Sequence, residues 1–589
     1  MSTTVDSQQY GAAVLRHLPL LREMIDRLGI RDVVHRELPP DPRNRVVDAD
    51  CVVLMIENVL HGRVALYGMN DWLEATDIDV ILGEGCPADA FTDDRLAATL
   101  DHIHAYGVDD LLSAVVRGYL QQNPGPSEYS VHTDTTTAKL WGDYERATAM
   151  PGPSPLNGHS KDHRPDLKQL VYGLSLHGAV GIPLCVSVLD GNTSDHTANR
   201  LHIDQLAGLL PPQDDVTLVA DCKLFDPTTI GRILDADFHF VTLVPRTYGL
   251  RAQLVDLVLQ RDEALPELAR SPGQTSKHPD RVYCGVSFVR DFAVLDPEQG
   301  DSQEKVPLRF LVVESSEQAR SFDEGLQKRL EKDRKRYEQA ARKLAAIKYR
   351  CGPDAQLAID RFENGKKSKA LHTATFGVEE VTKVLPRPKR GRPKAGELAP
   401  TETFWKITWA DVVADEAAVK RARDHARFFV LATDHVLDEG WDDERILTEY
   451  RHQHMVEGHC GFRWLKGPAA VAPMFLKTPA RIAALGLVFI LALMVRNYMQ
   501  WEIRRRLAET DQTLPNMNKQ PTARPTTENI FHYFGGVTVA LVYRNGRVAE
   551  RHVSGLNEAA CKALEILGVS PTIFTTPRKA DSLWLGSSE

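Results

Sequence analysis

The sequence predicts an α/β protein with a sheet-containing core, a helical region before that core and a long insertion inside it. First, apolar residues recur at helical spacing before residue 122. Second, after a break at residues 122–127, short apolar runs alternate with helical patterns, as in α/β folds. Third, two of these runs end in an acid, Asp134 and Asp221, and far more than a connecting loop separates Asp221 from Glu457, the acid we consider with them below.

Composition favours a large protein of more than one domain without a membrane partner. The 589 residues carry a formal net charge of −9, with ordinary apolar and charged shares. Eight cysteines without a CxxC pair indicate a reducing cytoplasm rather than a disulfide scaffold. The first residues do not resemble a signal peptide, and the apolar run 482–495 is shorter than the roughly 20 residues of a membrane span. We expect that run to be a buried core helix.

Residues 1–124 are predicted to form a helical N-terminal domain. Leu15, Leu18 and Leu21 have helical spacing, and Thr92 is a suitable N-cap for a helix with an acidic first turn. The pattern is compatible with two roles, a packing or dimerising module and a module that reads a DNA end.

Residues 125–247 are predicted to form the first part of the core. Strands are expected at 129–134, 168–177, 184–189, 215–221 and 238–244, with helices at 195–210 and 227–234. This order, β-β-β-α-β-α-β, with acids at the ends of the first and fourth strands, indicates an RNase H-like fold, the retroviral integrase-like arrangement. Parallel strands that both end in Asp bring two carboxylates to one sheet edge.

The remaining chain divides into three predicted parts. Residues 248–435 form an insertion domain that is β-rich, with strand patterns at 282–295 and 306–313, a long charged helix at 317–350 and a basic loop. Residues 436–510 form the second part of the core. Residues 511–589 carry a hairpin around Asn545-Gly546 and a closing helix at 557–567.

The stretch 450–466 is predicted to be one helix that carries Glu457 beside the apolar run 482–495. A carboxylate packed against apolar neighbours stays charged when a cation binds it, which suggests a metal site formed with Asp134 and Asp221. Three carboxylates suit two Mg²⁺ ions, with Mn²⁺ as a substitute, for phosphodiester chemistry. The spacing alone leaves Glu444 and Glu449 as alternatives for the third acid.

A second kind of metal site is suggested by the same stretch, since His452, His454, His459 and Cys460 are crowded there. Their spacing matches no standard zinc finger. Ordinary packing or DNA contacts are therefore the favoured interpretation of these four residues. A single Asp at a strand end is likewise most often a turn or cap residue, so the prediction depends on the combination of acids.

Several strings of the chain, in order, resemble DDE transposases of the IS4 superfamily, and the IS1634-like branch most. They are Gly158-His-Ser-Lys-Asp-His-Arg-Pro-Asp-Leu-Lys-Gln169, Gly181-Ile-Pro183, Asp190-Gly-Asn-Thr-Ser-Asp195, Phe462-Arg-Trp-Leu-Lys466 and Phe475-Leu-Lys-Thr-Pro-Ala-Arg481. The resemblance covers most of the chain, and the long insertion resembles the β-rich insert of that superfamily.

The resemblance implies that Asp134, Asp221 and Glu457 are the catalytic triad and the metal ligands. It also implies that Tyr450 and Lys466 belong to a Tyr…Arg…Glu…Lys helix that contacts DNA. Two departures stand out: Gln453 occupies the place of the Arg, and Lys466 comes two positions late.

Two basic loops are predicted to contact DNA. Arg390, Arg392 and Lys394, in Pro388-Lys-Arg-Gly-Arg-Pro-Lys394, resemble an AT-hook, which inserts arginines into a narrow minor groove. Residues Lys161, His163 and Arg164 form the second group and are placed to hold phosphates near the metals. The alternatives are a solvated linker for the first loop and a simple structural loop for the second.

Together these features predict a DNA transposase that cuts strands at the ends of a mobile element and joins them to target DNA. The expected partners are double-stranded DNA, both terminal inverted repeats and target, and a second copy of the chain in a homodimer. The expected location is the bacterial cytoplasm, with nucleoid association when the protein is bound to DNA. Two alternatives are a transposase-derived DNA-binding protein without cleavage and an RNase H-like nuclease that cuts without joining.

Overall fold

A nine-stranded mixed sheet is the centre of the protein. The computed structural model describes residues 9–62, 64–123, 127–140, 152–158, 164–273, 279–295, 303–366, 370–386, 398–436, 440–458, 460–466, 478–544 and 547–579. Within these residues, two three-stranded sheets and one two-stranded sheet accompany the large one. The predicted α/β class is therefore confirmed at the level of a mixed α/β protein with a large mixed sheet.

The predicted helices of the N-terminal region are present. Thr92 caps one of them, its hydroxyl accepting a hydrogen bond from the backbone N–H of Arg95 at 3.2 Å. One strand was not expected, because its short, mostly exposed sequence has no apolar alternation. The elements are β1 (Gln9–Val14), α1 (Leu18–Arg27), α2 (Ile30–Glu37), α3 (Asp48–Glu57), a π-helical turn (Asn58–Gly62), α4 (Met69–Glu74), α5 (Ile78–Ile81), α6 (Asp93–Tyr106) and α7 (Val108–Gln122).

The core elements follow in the predicted order β-β-β-α-β-α-β. They are β2 (Glu128–Leu140), β3 (Lys168–His177), β4 (Pro183–Leu189), α8 (Asp195–Leu209), β5 (Asp215–Ala220), α9 (Pro227–Asp235) and β6 (His239–Leu243). Strand β2 pairs antiparallel with β3 and parallel with β5. One expectation is wrong: β2 does not end at Asp134, because the threonine-rich residues after it, which favour extended structure, continue to pair with β3.

The next stretch adds four strands to the same sheet. Its elements are α10 (Gly249–Leu259), β7 (Glu267–Ser271), β8 (Arg281–Leu295), β9 (Gln303–Ser315), α11 (Ser316–Ala345), β10 (Lys348–Tyr349), α12 (Gly352–Lys366), β11 (His372–Val384), β12 (Thr401–Ala414), α13 (Glu416–Ala426) and β13 (Phe428–Thr433). The central sheet has the order β4-β3-β2-β5-β6-β13-β9-β8-β7, and β10, β12 and β11 form a separate sheet with a small core of its own. Much of the predicted insertion is thus continuous with the central sheet, and the predicted domain limits stay predictions.

The C-terminal part contains the predicted hairpin and apolar helix. Its elements are α14 (Asp443–His452), α15 (His454–Glu457), α16 (Phe462–Leu465), α17 (Pro479–Glu509), β14 (Leu514–Pro515), β15 (Pro521–Thr522), α18 (Thr527–Tyr533), β16 (Thr538–Arg544), β17 (Arg547–Ser554) and α19 (Glu558–Leu567). The hairpin β16–β17 is extended by β1, which pairs antiparallel with β16. Its predicted Asn-Gly turn lies outside the described residues.

Helix α17 is the predicted buried helix, and it is longer than the apolar run suggested. By length and composition it is the one described helix that could cross a membrane, and 94% of its apolar window is buried inside the structure. It packs against α3 and α6 of the N-terminal region, against β4 and against α19. The burial of this apolar surface links the N-terminal helices to the sheet.

Different helices cover the two faces of the central sheet. Along β5, Leu218 and Ala220 belong to the large core that contains α17, whereas Val219 belongs to a second core with Ile446 and Leu447 of α14. Because side chains alternate along a strand, α14 and α17 lie on opposite faces. The α14 face carries the candidate site described below.

A buried polar chain joins β2, β3, β4 and α8. The hydroxyls of Thr133 and Ser175 are 2.8 Å apart, Ser175 Oγ is 2.7 Å from His202 Nδ1, and His202 Nε2 is 2.9 Å from Ser187 Oγ. Burial lowers the pKa of His202 from 6.5 to about 4. The neutral imidazole therefore joins α8 directly to β3 and β4, and through Ser175 to β2, inside the core.

We expect His202 to make folding sensitive to mild acid. The unfolded chain takes up a proton on this residue below about pH 6.5, whereas the folded chain does so only near pH 4, so stability is full above pH 6.5 and declines as pH falls through this window. The contribution is about 3 kcal/mol. Urea unfolding of the protein and of His202→Gln at several pH values between 7.5 and 4.5 measures it.

The substitution should lower stability at pH 7.5 and reduce its loss on acidification. His552→Gln is the control, because His552 is mostly exposed and should leave the pH dependence unchanged. An unchanged acid dependence in His202→Gln would show that His202 is not the group responsible.

Candidate active site

Asp134 and Asp221 are neighbours in the central sheet. The parallel pairing of β2 with β5 ends with Thr133 opposite Ala220. Asp134 and Asp221 directly follow these two residues in the sequence. Neighbouring strands lie about 4.8 Å apart, and residues in parallel register face the same side. The register therefore brings both carboxylates together on one face of the sheet.

That face is the one covered by α14 and α15. His132, two residues before Asp134, has its Nε2 at 4.0 Å from Glu449 Oε2 of α14. Val219, two residues before Asp221, packs with Ile446 of α14. Since residues two apart on a strand share a face, both aspartates face the chain that carries Glu457.

Backbone groups hold both aspartates while leaving them partly accessible. Asp134 Oδ1 accepts a hydrogen bond from Thr135 N at 2.7 Å, and Asp221 Oδ1 accepts one from Lys223 N at 2.9 Å. Thr242 of β6 donates to the main-chain oxygen of Asp221 at 2.7 Å. Both side chains are half-buried. Neighbouring main-chain N–H groups thus help to orient both carboxylates.

The prediction of one helix over 450–466 is wrong, because the chain breaks into α14, α15 and α16. The first break is at Gln453. The second lies between Glu457 and Phe462, in a stretch that contains Gly458 and Gly461. A Cβ on Gly461 would lie 1.9 Å from the main-chain oxygen of Val456, so the fold-back at this point requires glycine. Glu457 is the last residue of α15 and is exposed, while Val456 is the buried residue. The expectation that Glu457 lies among apolar side chains is therefore also wrong.

Tyr450 links the separated acids. Burial raises the pKa of the Tyr450 hydroxyl well above its ordinary value, and the negative charges of Asp221 and Glu457 add to the rise. The hydroxyl therefore lies close enough to sense both Asp221 and Glu457. Its ring packs near Phe429 of β13, with ring centroids 6.3 Å apart. Tyr450 thus occupies the space between the strand ends and α15.

Other acids lie near the pair of aspartates. Glu449, an alternative third acid, approaches His132 in a half-buried position, whereas Glu444 is exposed in the first turn of α14. Asp195 begins α8 and accepts a hydrogen bond from the Thr135 hydroxyl at 2.5 Å. The sequence reasoning missed this contact, although Asp195 closes the Asp-Gly-Asn-Thr-Ser-Asp string that resembles the transposase family.

Metal-ligating geometry is incomplete in the described part of the chain. Among those residues, no three His, Cys, Asp or Glu side chains come close enough to hold a metal ion. The donor types still suit a hard cation, because the two adjacent groups are carboxylates. The zinc alternative gains no support from His452, His454 and Cys460, and its fourth member, His459, lies outside the described residues.

The predicted DNA-binding residues comprise two exposed cations, five residues outside the described ranges, and Tyr450. Arg164 is exposed and pairs with Asp166 at 2.7 Å, a contact that raises the pKa of the guanidinium. Lys466 is exposed and lines, with residues of β2, β3 and α17, a cavity of about 290 Å³. The residues outside the described ranges are Lys161, His163, Arg390, Arg392 and Lys394. Tyr450 is the one described residue of the set whose pKa is raised by the charges of Asp221 and Glu457.

Comparison with known proteins gives one family-model match and one distant structural match. A family model described as a domain of unknown function (DUF4277) matches residues 11–117. No curated protein matches the chain. Among solved structures, a piggyBac transposase synaptic complex with hairpin DNA is similar at 8% identity, with a TM-score of 0.23. The match covers 47% of this chain and 60% of that chain.

The matches are thus to a domain of unknown function and, distantly, to a solved transposase structure. The closer resemblance to the IS4 superfamily and its IS1634-like branch stays a prediction from the sequence strings. The assignment of Asp134, Asp221 and Glu457 as the catalytic triad stays a prediction as well.

We expect Gly461→Ala to destabilise the turn between α15 and α16. The added Cβ would overlap the main-chain oxygen of Val456, so the backbone must shift, at a cost of about 1–3 kcal/mol in the free energy of unfolding. Gly208→Ala is the control, because a Cβ there meets nothing within 4 Å and Gly208 lies in α8. Urea unfolding should show a loss for the first substitution and none for the second. Equal stability of the two variants would contradict the proposed close approach.

Proposed function

We propose that this protein is a DNA transposase that cuts DNA strands at the ends of a mobile element and joins them to target DNA. The observation that carries the proposal is the parallel register of β2 and β5, which makes Asp134 and Asp221 neighbours on the face reached by Glu457 and Tyr450. The strand order around these acids is typical of an RNase H-like core. The resemblance of the ordered strings to IS4-superfamily transposases supports the same activity.

Asp134, Asp221 and Glu457 are the residues we propose as ligands of two divalent cations. Carboxylate oxygens prefer Mg²⁺, with Mn²⁺ as a substitute, and two such ions supply activation of the attacking oxygen and stabilisation of the leaving oxygen. Three carboxylates repel one another without a counter-charge, which favours the separated position of Glu457. Glu457 ends a four-residue helix and is exposed, and the proposal requires a shift of α15 that brings it toward the aspartates.

The other residues of the site have roles that follow from their charge and burial. The Tyr450 hydroxyl stays protonated because its pKa is raised, so it acts as a hydrogen-bond donor to a carboxylate or phosphate oxygen. Lys466 and Arg164 are exposed cations suited to phosphates. Asp134 and Asp221 keep their orientation through the backbone N–H groups that they accept from.

The proposed partner is double-stranded DNA, as terminal inverted repeats and as target, and a second copy of the chain completes a homodimer. The net charge of −9 does not oppose this, because local patches govern phosphate binding. Arg390, Arg392 and Lys394 fall between β11 and β12, the two long strands of the separate sheet. We place the protein in the cytoplasm, associated with the nucleoid when it binds DNA.

One observation favours a second candidate, a transposase-derived DNA-binding protein that does not cut. In the ranges that the structure describes, the acids do not form a ready-made set of three metal ligands. A shift of α15 on binding is required for cleavage and not for binding alone. The two candidates therefore differ in whether Glu457 is needed for cleavage of the DNA.

We expect Asp134→Asn, Asp221→Asn and Glu457→Gln each to reduce Mg²⁺-dependent cleavage by at least about a thousandfold, because each removes a ligand charge that stabilises the transition state. DNA binding should remain within about twofold, since none of the three is a cationic contact. Cleavage and joining of end-bearing duplexes, and fluorescence anisotropy for binding, measure the two effects.

Glu444→Gln is the matched control on α14 and should retain cleavage. Loss of cleavage in Glu449→Gln with retention in Glu457→Gln would move the third ligand to Glu449. Binding without cleavage by the intact protein would establish the non-cutting candidate. Cleavage without strand joining would indicate a plain nuclease.

A further inference from the structure

A basic groove lies between the start of β8 and the C-terminal end of α14. Its volume is about 530 Å³. Every described residue that lines it is basic or carries a hydroxyl group. These residues are Arg281, Tyr283, Thr448, Arg451, His452 and His454. A groove of this composition attracts anions and provides several hydrogen-bond donors to them.

Arg451 is held in a fixed orientation within the groove. Its guanidinium lies over the ring of Tyr283, 4.5 Å from the ring centroid, and its Nη2 donates to Ser271 Oγ at 2.7 Å. The ring of His454 is fixed in turn, because its Nδ1 donates to the main-chain oxygen of Arg451 at 2.5 Å. These contacts use only part of the donor capacity of a guanidinium group, which has five N–H donors. A preorganised arginine loses little entropy on binding an oxyanion.

Arg281 supplies a second guanidinium, which is held by an exposed ion pair. Its ion pair with Glu317, at 3.3 Å, joins two side chains that are each about half exposed. Exposed pairs of this kind contribute little to stability, so Arg281 can turn to another anion at small cost. The two arginines come from different elements, and an anion between them would join β8 to α14.

The groove lies at the same end of α14 as the proposed active site. The start of this helix is fixed near the beginning of β2 by an ion pair between Arg445 and Glu128. Near its other end, Glu449 lies 4.0 Å from His132, which is two residues before Asp134, and Arg451 and His452 follow soon after in the same helix. The groove and the aspartates are therefore both close to the C-terminal end of α14.

We infer that the groove binds a phosphate group of the DNA backbone next to the acids, an inference that rests on the proposed function. A guanidinium fork matches two phosphate oxygens, and the groove adds imidazole and hydroxyl groups around them. The acidic pair repels the polyanion that it acts on, so a cationic site beside it offsets that repulsion and sets the position of the strand. Arg281 and Arg451 are not among the DNA-binding residues predicted from the sequence.

The test uses the full chain, a DNA duplex and inorganic phosphate as separate probes. Fluorescence anisotropy at several salt concentrations gives the dependence of DNA affinity on salt. Arg281→Glu and Arg451→Ala should each weaken binding about tenfold and lower the slope of log K against log salt by about 1. Arg261→Glu is the matched control, an exposed arginine that also has one carboxylate at 3.3 Å and lies outside the groove. It should leave the slope unchanged.

Thermal melting in sodium phosphate against sodium chloride of equal ionic strength provides the second measurement. Phosphate should raise the melting temperature of the protein and of Arg261→Glu, and not that of Arg281→Glu or Arg451→Ala. The melting temperature in chloride shows whether each variant is folded. Arg281→Glu keeps the proposal testable if Arg451→Ala loses its packing on Tyr283.

The outcomes separate this inference from the proposed function. DNA binding with an unchanged salt slope in both groove variants overturns the groove and leaves the transposase proposal standing. Stabilisation by phosphate that needs both arginines, in a protein that does not bind DNA, supports an anion site but overturns its assignment to DNA together with the proposed function. A protein that responds to neither probe overturns both.

Discussion

The parallel pairing of β2 with β5 is the interaction on which the candidate site depends. Asp134 and Asp221 are far apart in the sequence, and the register of two strands makes them neighbours. That register is fixed because each strand buries side chains on both faces, so a slip by one residue would exchange the two cores on either side of β5. The position of the two charges is therefore secured by apolar packing that lies away from them.

Helix α14 positions the other residues of the site relative to the sheet. Its apolar side packs on the sheet through Ile446 and Leu447, and its polar side carries Tyr450 toward the acids and Arg451 toward β8. The strands that precede it in sequence, β7 to β9, extend the central sheet so that β8 flanks this helix. A stretch that resembles an inserted domain in sequence thus supplies one wall of a groove beside the acids.

The parts of the fold that the sequence predicted are those with a local signal. The core strands and helices were found because apolar periodicity changes from one to the next, and Asp221 was found because it directly follows an apolar run. The continuation of β2 past Asp134 was missed, since a run of threonines has no apolar alternation. The extension of the sheet beyond β6 by β13, β9, β8 and β7, in that order, was also missed, because strand patterns do not specify their partners across long separations.

The site was predicted less completely than the fold, for a related reason. Residues 450–466 have helical composition, and Gly458 and Gly461, which lie between α15 and α16, differ from tolerated helical glycines through the close approach of main chain to each. The exposure of Glu457 follows from that break and could not be derived from the apolar run nearby. Arg281 and Arg451 meet across elements that are distant in the chain, so no spacing rule connects them.

The pairing of β1 with β16 has a consequence for how the protein is made. Strand β1 is synthesised long before its neighbour, because β16 lies far later in the sequence. Arg578 and Asp26, which form an ion pair, likewise join segments that are far apart in the sequence. The apolar surface of the early helices also packs against α17, so it stays exposed to association with other chains until α17 has been synthesised.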